Sequence, residues 1–439
     1  MTGWHSASAA GSLLAACAVL CACSPGGGGA GGGFRPVDAG RAVLWDRQIN
    51  ESAALLRDLA GEFNAGRAGL PVEVQHAGSY ADIFRKVSAS IQAGVLPAMA
   101  VSYESMTTEY AAAGAAVALD ALLSAPDTGI SPEELADYYP AMLESNRYAE
   151  HGGGYYSFPL CKSLLVLFYN TDLVARAGFS GPPATWDAFL EQCRALRKLT
   201  GKPAHAVNVD CSTVDGLIFS MGGEVYRNGE TLYDSPEALA VFQLYETLAR
   251  EELAYVVTAG SFDDNVALVK GEVAFTLRQS SARNDLVTIL GERRNLLGIA
   301  PIPQKDPSRP ATVVYGPNVT LFPVGEDQTA AAWAFVKWFT RPDISARWSA
   351  GTGYLPVRRS ALEEPVLKRL WEEWPPGKVP YDCLSFAKSE PNAAGWQEVR
   401  DIVARALLSV LTGTKTAADA IKEVKPQADA ALRRAAGPR

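Results

Sequence analysis

Ala42-Val43-Leu44-Trp45 is a short apolar run, and the residues from there to Val101 repeat one rhythm. Within Glu51 to Asn64, Leu55, Leu59 and Phe63 fall four apart, the spacing of one helical face. Pro71-Val72-Glu73-Val74 alternates like a strand. Ala81 to Ala93 then carries Ile83, Val87 and Ile91 at spacing four, and Met99-Ala100-Val101 is apolar again. Strand, helix, strand, helix, strand predicts a parallel sheet covered by helices, because parallel neighbours need a long crossover connection. This forms a first α/β lobe.

Toward the C-terminus a second set appears. Leu164 to Tyr169 is continuously apolar, as a strand covered on both faces should be. Thr185 caps a helix whose Trp186, Phe189, Leu190, Cys193 and Leu196 make the buried stripe. Ser235-Pro236 opens another helix, with a capping hydroxyl before a first-turn proline. Gly298 to Pro301 and Asn318 to Phe322 read as strands, and Ala330 to Phe339 as a helix followed by one opening at Pro342. The tail from Gln397 to Arg434 is amphipathic and expected to break at Gly413 and Pro426.

Toward the N-terminus, Leu13 to Ala22 is a short apolar stretch followed by Ser24-Pro25 and a glycine-rich run to Gly33. That suits a signal peptide and an unpacked linker. Two cysteines stand in lipobox-like settings, Leu14-Ala15-Ala16-Cys17 and Leu20-Cys21-Ala22-Cys23. Cys23 is the expected lipidated (palmitate-bearing) residue and Cys17 the alternative, with residues 1–23 as lipoprotein signal peptide and 24–40 as linker. No lysine or arginine precedes the apolar stretch, only His5.

The chain has 439 residues, 48% of them hydrophobic and 20% charged, enough for more than one buried core. With 48 acidic against 40 basic residues the net charge is −8, a field that repels phosphate backbones and argues against a nucleic-acid partner. Catalytic signatures are missing: there is no GxSxG, no GxxxxGK[ST] and no HExxH. Neither the histidines His5, His76, His151 and His205 nor the cysteines Cys161, Cys193, Cys211 and Cys383 have metal-ligand spacing. No catalytic residue, metal or cofactor is therefore expected, and the disulfide state of those four cysteines stays open.

Several stretches, in one order from about residue 42 to 435, resemble the extracellular solute-binding proteins of ABC importers, above all the glycerol-3-phosphate-binding members. They are Leu44-Trp45 with the helix to Phe63-Asn64-Ala65, Gly78-Ser79-Tyr80, Val101-Ser102-Tyr103-Glu104, and Phe158-Pro159 to Phe168-Tyr169-Asn170. Pro183-Ala184-Thr185-Trp186, Lys270-Gly271-Glu272-Val273-Ala274-Phe275 and Thr352-Gly353-Tyr354-Leu355-Pro356 continue the match. The resemblance implies a periplasmic-binding-protein-like fold of type II: two α/β lobes, joined by hinge crossings, with a ligand cleft between them. The crossings would fall near Pro159-Leu160, Pro301-Ile302-Pro303 and Phe339 to Ser349. Residues 41–159 and 302–342 would then form the N-terminal lobe, and 160–301 and 343–439 the C-terminal lobe.

By the same local matches the ligand-binding residues would be Trp45, Tyr80, Glu104, Ser163, Ser280, Ser281, Gly316, Tyr354 and Lys388. Glu104 follows a strand and offers a carboxylate to adjacent hydroxyls; its replacement by alanine is expected to abolish binding with little effect on folding. Tyr80 and Tyr354 supply a ring face and a hydroxyl. The serines would meet phosphate with hydroxyls and backbone N–H groups, and Gly316 would let the backbone approach the ligand. Glycerol-3-phosphate binders carry an arginine in the late loop, whereas Tyr381 to Lys388 has none. Lys388 is the stand-in, with Lys162 and Arg278 as other nearby cations. A lysine grips phosphate as a point charge only, so a singly charged glycerophosphodiester such as glycerophosphocholine suits the chain better than a dianion, and a neutral sugar or oligosaccharide would tolerate the missing arginine best.

The expected function is thus a non-enzymatic, monomeric, lipid-anchored binding protein of the cell membrane, facing the periplasm or exterior. It would capture glycerol-3-phosphate or a glycerophosphodiester by hinge closure and deliver it to an ABC permease and ATPase. A sugar- or oligosaccharide-binding lipoprotein is the alternative within this class. A secreted glycosidase or phosphodiesterase is the alternative outside it.

Overall fold

A computed structural model describes residues 33–258 and 261–436. Cys17, Cys23, the expected signal peptide and most of the glycine-rich linker lie outside the described residues.

The first rhythm folds as strand β1 (Ala42–Asp46), helix α1 (Asn50–Ala65), β2 (Val72–His76), α2 (Tyr80–Ala93) and β3 (Met99–Ser102), followed by α3 (Glu104–Ala112). Ser79 caps α2 by accepting from the Asp82 N–H, and Asp82 returns the bond to the Ser79 N–H. β4 (Phe158–Pro159) precedes the long β5 (Ser163–Asn170). Then come α4 (Trp186–Thr200), β6 (His205–Val207), α5 (Cys211–Ser220), α6 (Pro236–Arg250), β7 (Ala254–Val256), α7 (Asp263–Lys270) and β8 (Phe275–Gln279). The chain continues through β9 (Leu297–Pro301), β10 (Thr312–Tyr315), β11 (Asn318–Leu321), α8 (Glu326–Phe339), α9 (Pro342–Thr352) and β12 (Ala387–Ser389). It ends on α10 (Trp396–Leu411) and α11 (Ala417–Ala436).

Two mixed sheets result. The first has five strands in the order β2-β1-β3-β11-β4, with β1, β2 and β3 parallel and β11 antiparallel to both its neighbours. The second has seven, in the order β7-β6-β8-β5-β10-β12, with β9 also paired to β5. Alternate residues of β5 feed different cores. Leu164, Val166 and Phe168 join the apolar cluster that also holds β1 and β3, while Leu165 and Leu167 join the cluster around α4, α5, α10 and α11. A strand with both faces buried has no polar alternation, which is why its sequence reads as one apolar run.

The strand pairing relocates two expected crossings. β10 lies within 302–342, the range assigned to the first lobe, yet Val314 pairs with Leu164 and Thr312 with Ala387 in the second sheet. The chain therefore changes sheets at Gly316-Pro317 and not at Pro301-Ile302-Pro303. Nor does it leave between Phe339 and Ser349. α9 stays against α1, with Arg347 ion-paired to Glu62 at 2.9 Å and Trp348 set edge-on to Phe339 at 5.5 Å. Arg283 of the second body meanwhile donates to the Ser349 and Ala350 carbonyls at 2.8 Å each, so the end of α9 is held from both sides.

Pro426 also departs from expectation, since it lies inside α11 without ending it. A mid-helix proline costs about 3 kcal/mol. Here Ile421, Val424, Ala428, Ala431 and Leu432 are buried on both sides of it, and that packing holds the helix.

Candidate functional site

In both sheets the C-terminal ends of parallel strands open toward one cleft, the usual place for a ligand in α/β proteins. Arg47 follows β1, Tyr80 opens α2 after β2, and Tyr103 follows β3. From the other body come Asn208 and Asp210 after β6, Thr258 after β7, and Arg278 to Ser281 at the end of β8. Ser163 enters from the N-terminal end of the antiparallel β5, and Tyr315-Gly316 from the crossing. The enclosed volume is about 730 Å3, within the range of small-molecule sites.

The first wall is aromatic and cationic. Tyr80 and Tyr103 stack with ring centroids 4.0 Å apart, and the Arg47 guanidinium lies 5.1 Å from the Tyr80 ring. Arg47 Nη1 donates to the Tyr354 hydroxyl at 2.8 Å, and Gln48 Nε2 donates to the same oxygen at 3.3 Å. Tyr354 is itself stacked on Trp348. The Tyr354 oxygen first, then Tyr80, Tyr103 and Asp46, hold the Arg47 pKa above its ordinary value against the opposing effect of burial. Among the described residues no carboxylate lies within ion-pair distance of Arg47. The Tyr80 hydroxyl is buried and has no partner among the described residues.

The facing wall is polar and mostly self-neutralised. Arg278 is ion-paired to the fully buried Asp264, and its Nε–H has no acceptor among the described residues. Asp210 accepts from Arg400 Nη2 at 3.1 Å, and Arg400, which also pairs with Glu390, covers the Tyr103 ring at 5.0 Å. Ser163 Oγ accepts from the Ser281 N–H at 3.2 Å and shares a 2.9 Å bond with Ser280 Oγ.

Of the sequence-derived candidates, Tyr80, Ser163, Ser281, Gly316 and Tyr354 line this cleft together. Four others do not. Trp45 is buried in β1 with Lys86 above its ring at 3.9 Å, because the next residue, not Trp45, ends the strand toward the cleft. Ser280 is fully enclosed and supports Ser163 from behind. Lys388 is exposed on the outer strand β12, with its ammonium 5.4 Å from the Phe219 ring.

Glu104 is 5% exposed and spent on another partner: Lys162 Nζ, itself 2% exposed, donates to it at 2.8 Å, and Ser145 Oγ at 3.1 Å. Burial, the largest single influence, pushes the Glu104 carboxyl up, but the charge and hydrogen bond of Lys162 together with the other hydrogen bonds the carboxylate accepts bring the net shift downward. Lys162 is thus a buried counter-ion and not a surface lysine. The sequence reading missed Arg47, Tyr103 and Asp210. Arg47 and Tyr103 each lie two residues beyond a strand recognised in the sequence, and that position was the available signal; Asp210 follows a three-residue strand too short to show.

The sequence profile described as bacterial extracellular solute-binding protein matches residues 58–375. The chain is 23% identical to the sn-glycerol-3-phosphate-binding periplasmic protein UgpB of Pectobacterium atrosepticum, covering 89% of this chain and 91% of that one. Among solved structures, UgpB of Mycobacterium tuberculosis in complex with glycerophosphocholine superposes with a TM-score of 0.81 at 22% identity, over 90% of this chain and 99% of that one. The cyclic alpha-maltosyl-1,6-maltose binding protein of Arthrobacter globiformis gives 0.76, also at 22% identity, with the same coverage. The superpositions confirm the two-lobed fold expected from the sequence, and the profile match, spanning well over half of the chain, makes it a member of the bacterial extracellular solute-binding proteins.

Proposed function

We propose that this protein captures a singly charged glycerophosphodiester and presents it to the permease of an ABC importer, without chemical change. The observation that carries the reading is Arg47. It is a half-buried, cleft-lining guanidinium with no acid partner among the described residues, facing a wall where Arg278 with Asp264 and Arg400 with Asp210 are already paired. Arg405, which also lines the cleft without an ion pair among those residues, is exposed. A half-buried guanidinium without a counter-ion favours an anionic ligand, and it suits phosphate oxygens by its fork of donors. Ser163, Ser281 and the close backbone at Gly316 would serve the ester and glycerol oxygens. Relatives named for sn-glycerol-3-phosphate binding support the class.

Capture would proceed by closure of two bodies about the strand-to-strand crossings, the closed form being selected because it binds the ligand better. Among the described residues no helix is long and apolar enough to cross a membrane. An acylated Cys23, or Cys17, would hold the protein at the membrane surface.

The four tyrosines of the cleft, Tyr80, Tyr103, Tyr315 and Tyr354, favour a second reading, a neutral oligosaccharide lying on aromatic faces. A thermal-shift panel of glycerophosphocholine, glycerol-3-phosphate, maltose and longer sugars decides between them. A ligand at a hundredfold over its Kd stabilises by about 2.7 kcal/mol. Stabilisation by the phosphodiester alone is expected. Stabilisation by sugars alone would replace the proposal with the second reading, and turnover of any ligand would overturn the binding-only role.

A further inference from the structure

Beyond Arg47, Gln279, Ser281 and Tyr354, which line both spaces, the cleft continues into a second chamber of about 370 Å3. Its chemistry is opposite to that of the first. Glu51, in the first turn of α1, and Asp285 both line it, and among the described residues neither has an ion-pair partner. Burial, then the charge of Glu51, pushes the Asp285 carboxyl up against the pull of Arg278.

A second observation points independently to a ligand. Asn265 of α7 lines the chamber and is fully enclosed, yet among the described residues neither its amide oxygen nor its amide nitrogen has a partner. A buried unpaired amide costs about 1–3 kcal/mol, so its retention calls for an explanation. Beside it Phe262, half exposed at 50%, lines the same space, with the Arg278 guanidinium already 5.6 Å from its ring centroid.

We propose that this chamber is a subsite for a compact organic cation, an ammonium group carried at the far end of a ligand whose anionic centre sits at Arg47. Two carboxylates, an amide oxygen and an aromatic face are the groups that stabilise an ammonium. A ligand prolonged by a second anion would meet Glu51 and Asp285 with like charge. The site as a whole is dipolar, cationic at Arg47 and anionic at the far end, and so reads a zwitterion. This inference rests on the anionic-ligand reading of the cleft and adds the substrate's second charge to it.

The test uses titration calorimetry on the full chain with three probes. These are glycerophosphocholine, its isostere in which a neutral carbon replaces the quaternary nitrogen and only the phosphodiester charge remains (the 3,3-dimethylbutyl ester), and glycerol-3-phosphate. Wild type should bind the isostere about tenfold more weakly than the choline ester. The double variant Glu51→Gln/Asp285→Asn should erase that difference while leaving glycerol-3-phosphate affinity and the melting temperature unchanged, since among the described residues neither side chain holds an ion pair. Equal affinity of wild type for the ester and its isostere would overturn the cation subsite and leave the phosphodiester reading standing. Binding of neither phosphate ester, with sugars bound instead, would overturn both.

Discussion

Glu104 and Lys162 are joined at 2.8 Å with both side chains almost wholly buried, and Lys162 sits in the crossing between β4 and β5. The pair ties the start of α3 on the first body to the strand that opens the second. Lys162 Nζ also donates to Asn318 Oδ1 at 2.7 Å, and Asn146 Nδ2 donates to the same oxygen at 2.9 Å, so the second crossing is held at the same point. Glu104 is therefore a structural acid at the hinge, and its removal leaves an ammonium buried without a counter-ion. Contrary to the sequence expectation, Glu104→Ala should destabilise the fold by about 3–5 kcal/mol. Urea unfolding measures this, and the double variant Glu104→Leu/Lys162→Met should recover a large part of the loss. A Glu104→Ala protein as stable as wild type would remove the ion pair from the account of the hinge.

Arg47 is the counterpart on the ligand side. Arg47→Met should weaken phosphodiester binding by about tenfold or more, since a charge-assisted bond to phosphate contributes about 1.5–3 kcal/mol. Tyr354→Phe, which removes only the hydroxyl that accepts from Arg47 and Gln48, should cost less. The two losses should not add, because both act on the same guanidinium. Calorimetry on the four proteins of the cycle checks this.

How much of this was legible in the sequence depends on the length of the signal. β1, α1, β2, α2 and β3 announce themselves because each shows its period over enough residues, and β5 because both faces are apolar. β6 has three residues, and the wholly buried α5 has no polar face to reveal a helical period. The cleft was half legible: of the residues named from local resemblance, Tyr80, Ser163, Ser281, Gly316 and Tyr354 line it. Glu104 and Lys388 failed because a short match gives a residue's place on the chain but not its partner. Only the tertiary structure shows Lys162 meeting Glu104, or β12 turning Lys388 outward. The four cysteines, undecided by spacing, are buried free thiols.

His205 gives a pH test of the second core. It is fully buried in β6, its Nδ1–H donates to the Phe275 carbonyl at 3.1 Å, and burial first of all lowers its pKa from 6.5 to about 4. The folded protein thus keeps a neutral imidazole where the unfolded chain would take up a proton. The stability this protects is fully present above pH 6.5 and is lost as pH falls from there toward 4. The loss amounts to about 3 kcal/mol at most. His205→Gln keeps a donor and does not titrate, so wild type minus variant stability should fall across that window and be flat above it. A flat difference throughout would mean that His205 is charged in the folded state.

Gly316 joins β10 to β11, and both of its constraints act at the site. Its φ of +119° is a conformation that side chains avoid, and a Cβ there would stand 3.2 Å from the Ser163 N–H nitrogen. Gly316→Ala should therefore destabilise by about 1 kcal/mol or more through backbone strain. The neighbouring Ser163 must also give way, and with it the bonds that hold Ser280 and the Ser281 N–H. Strain alone would lower the unfolding free energy and leave affinity intact. Displacement of Ser163 would weaken the ligand as well, even under conditions where the variant is fully folded. The second outcome is expected, because the crowding points into the cleft wall, and a paired measurement of urea unfolding and ligand titration separates the two.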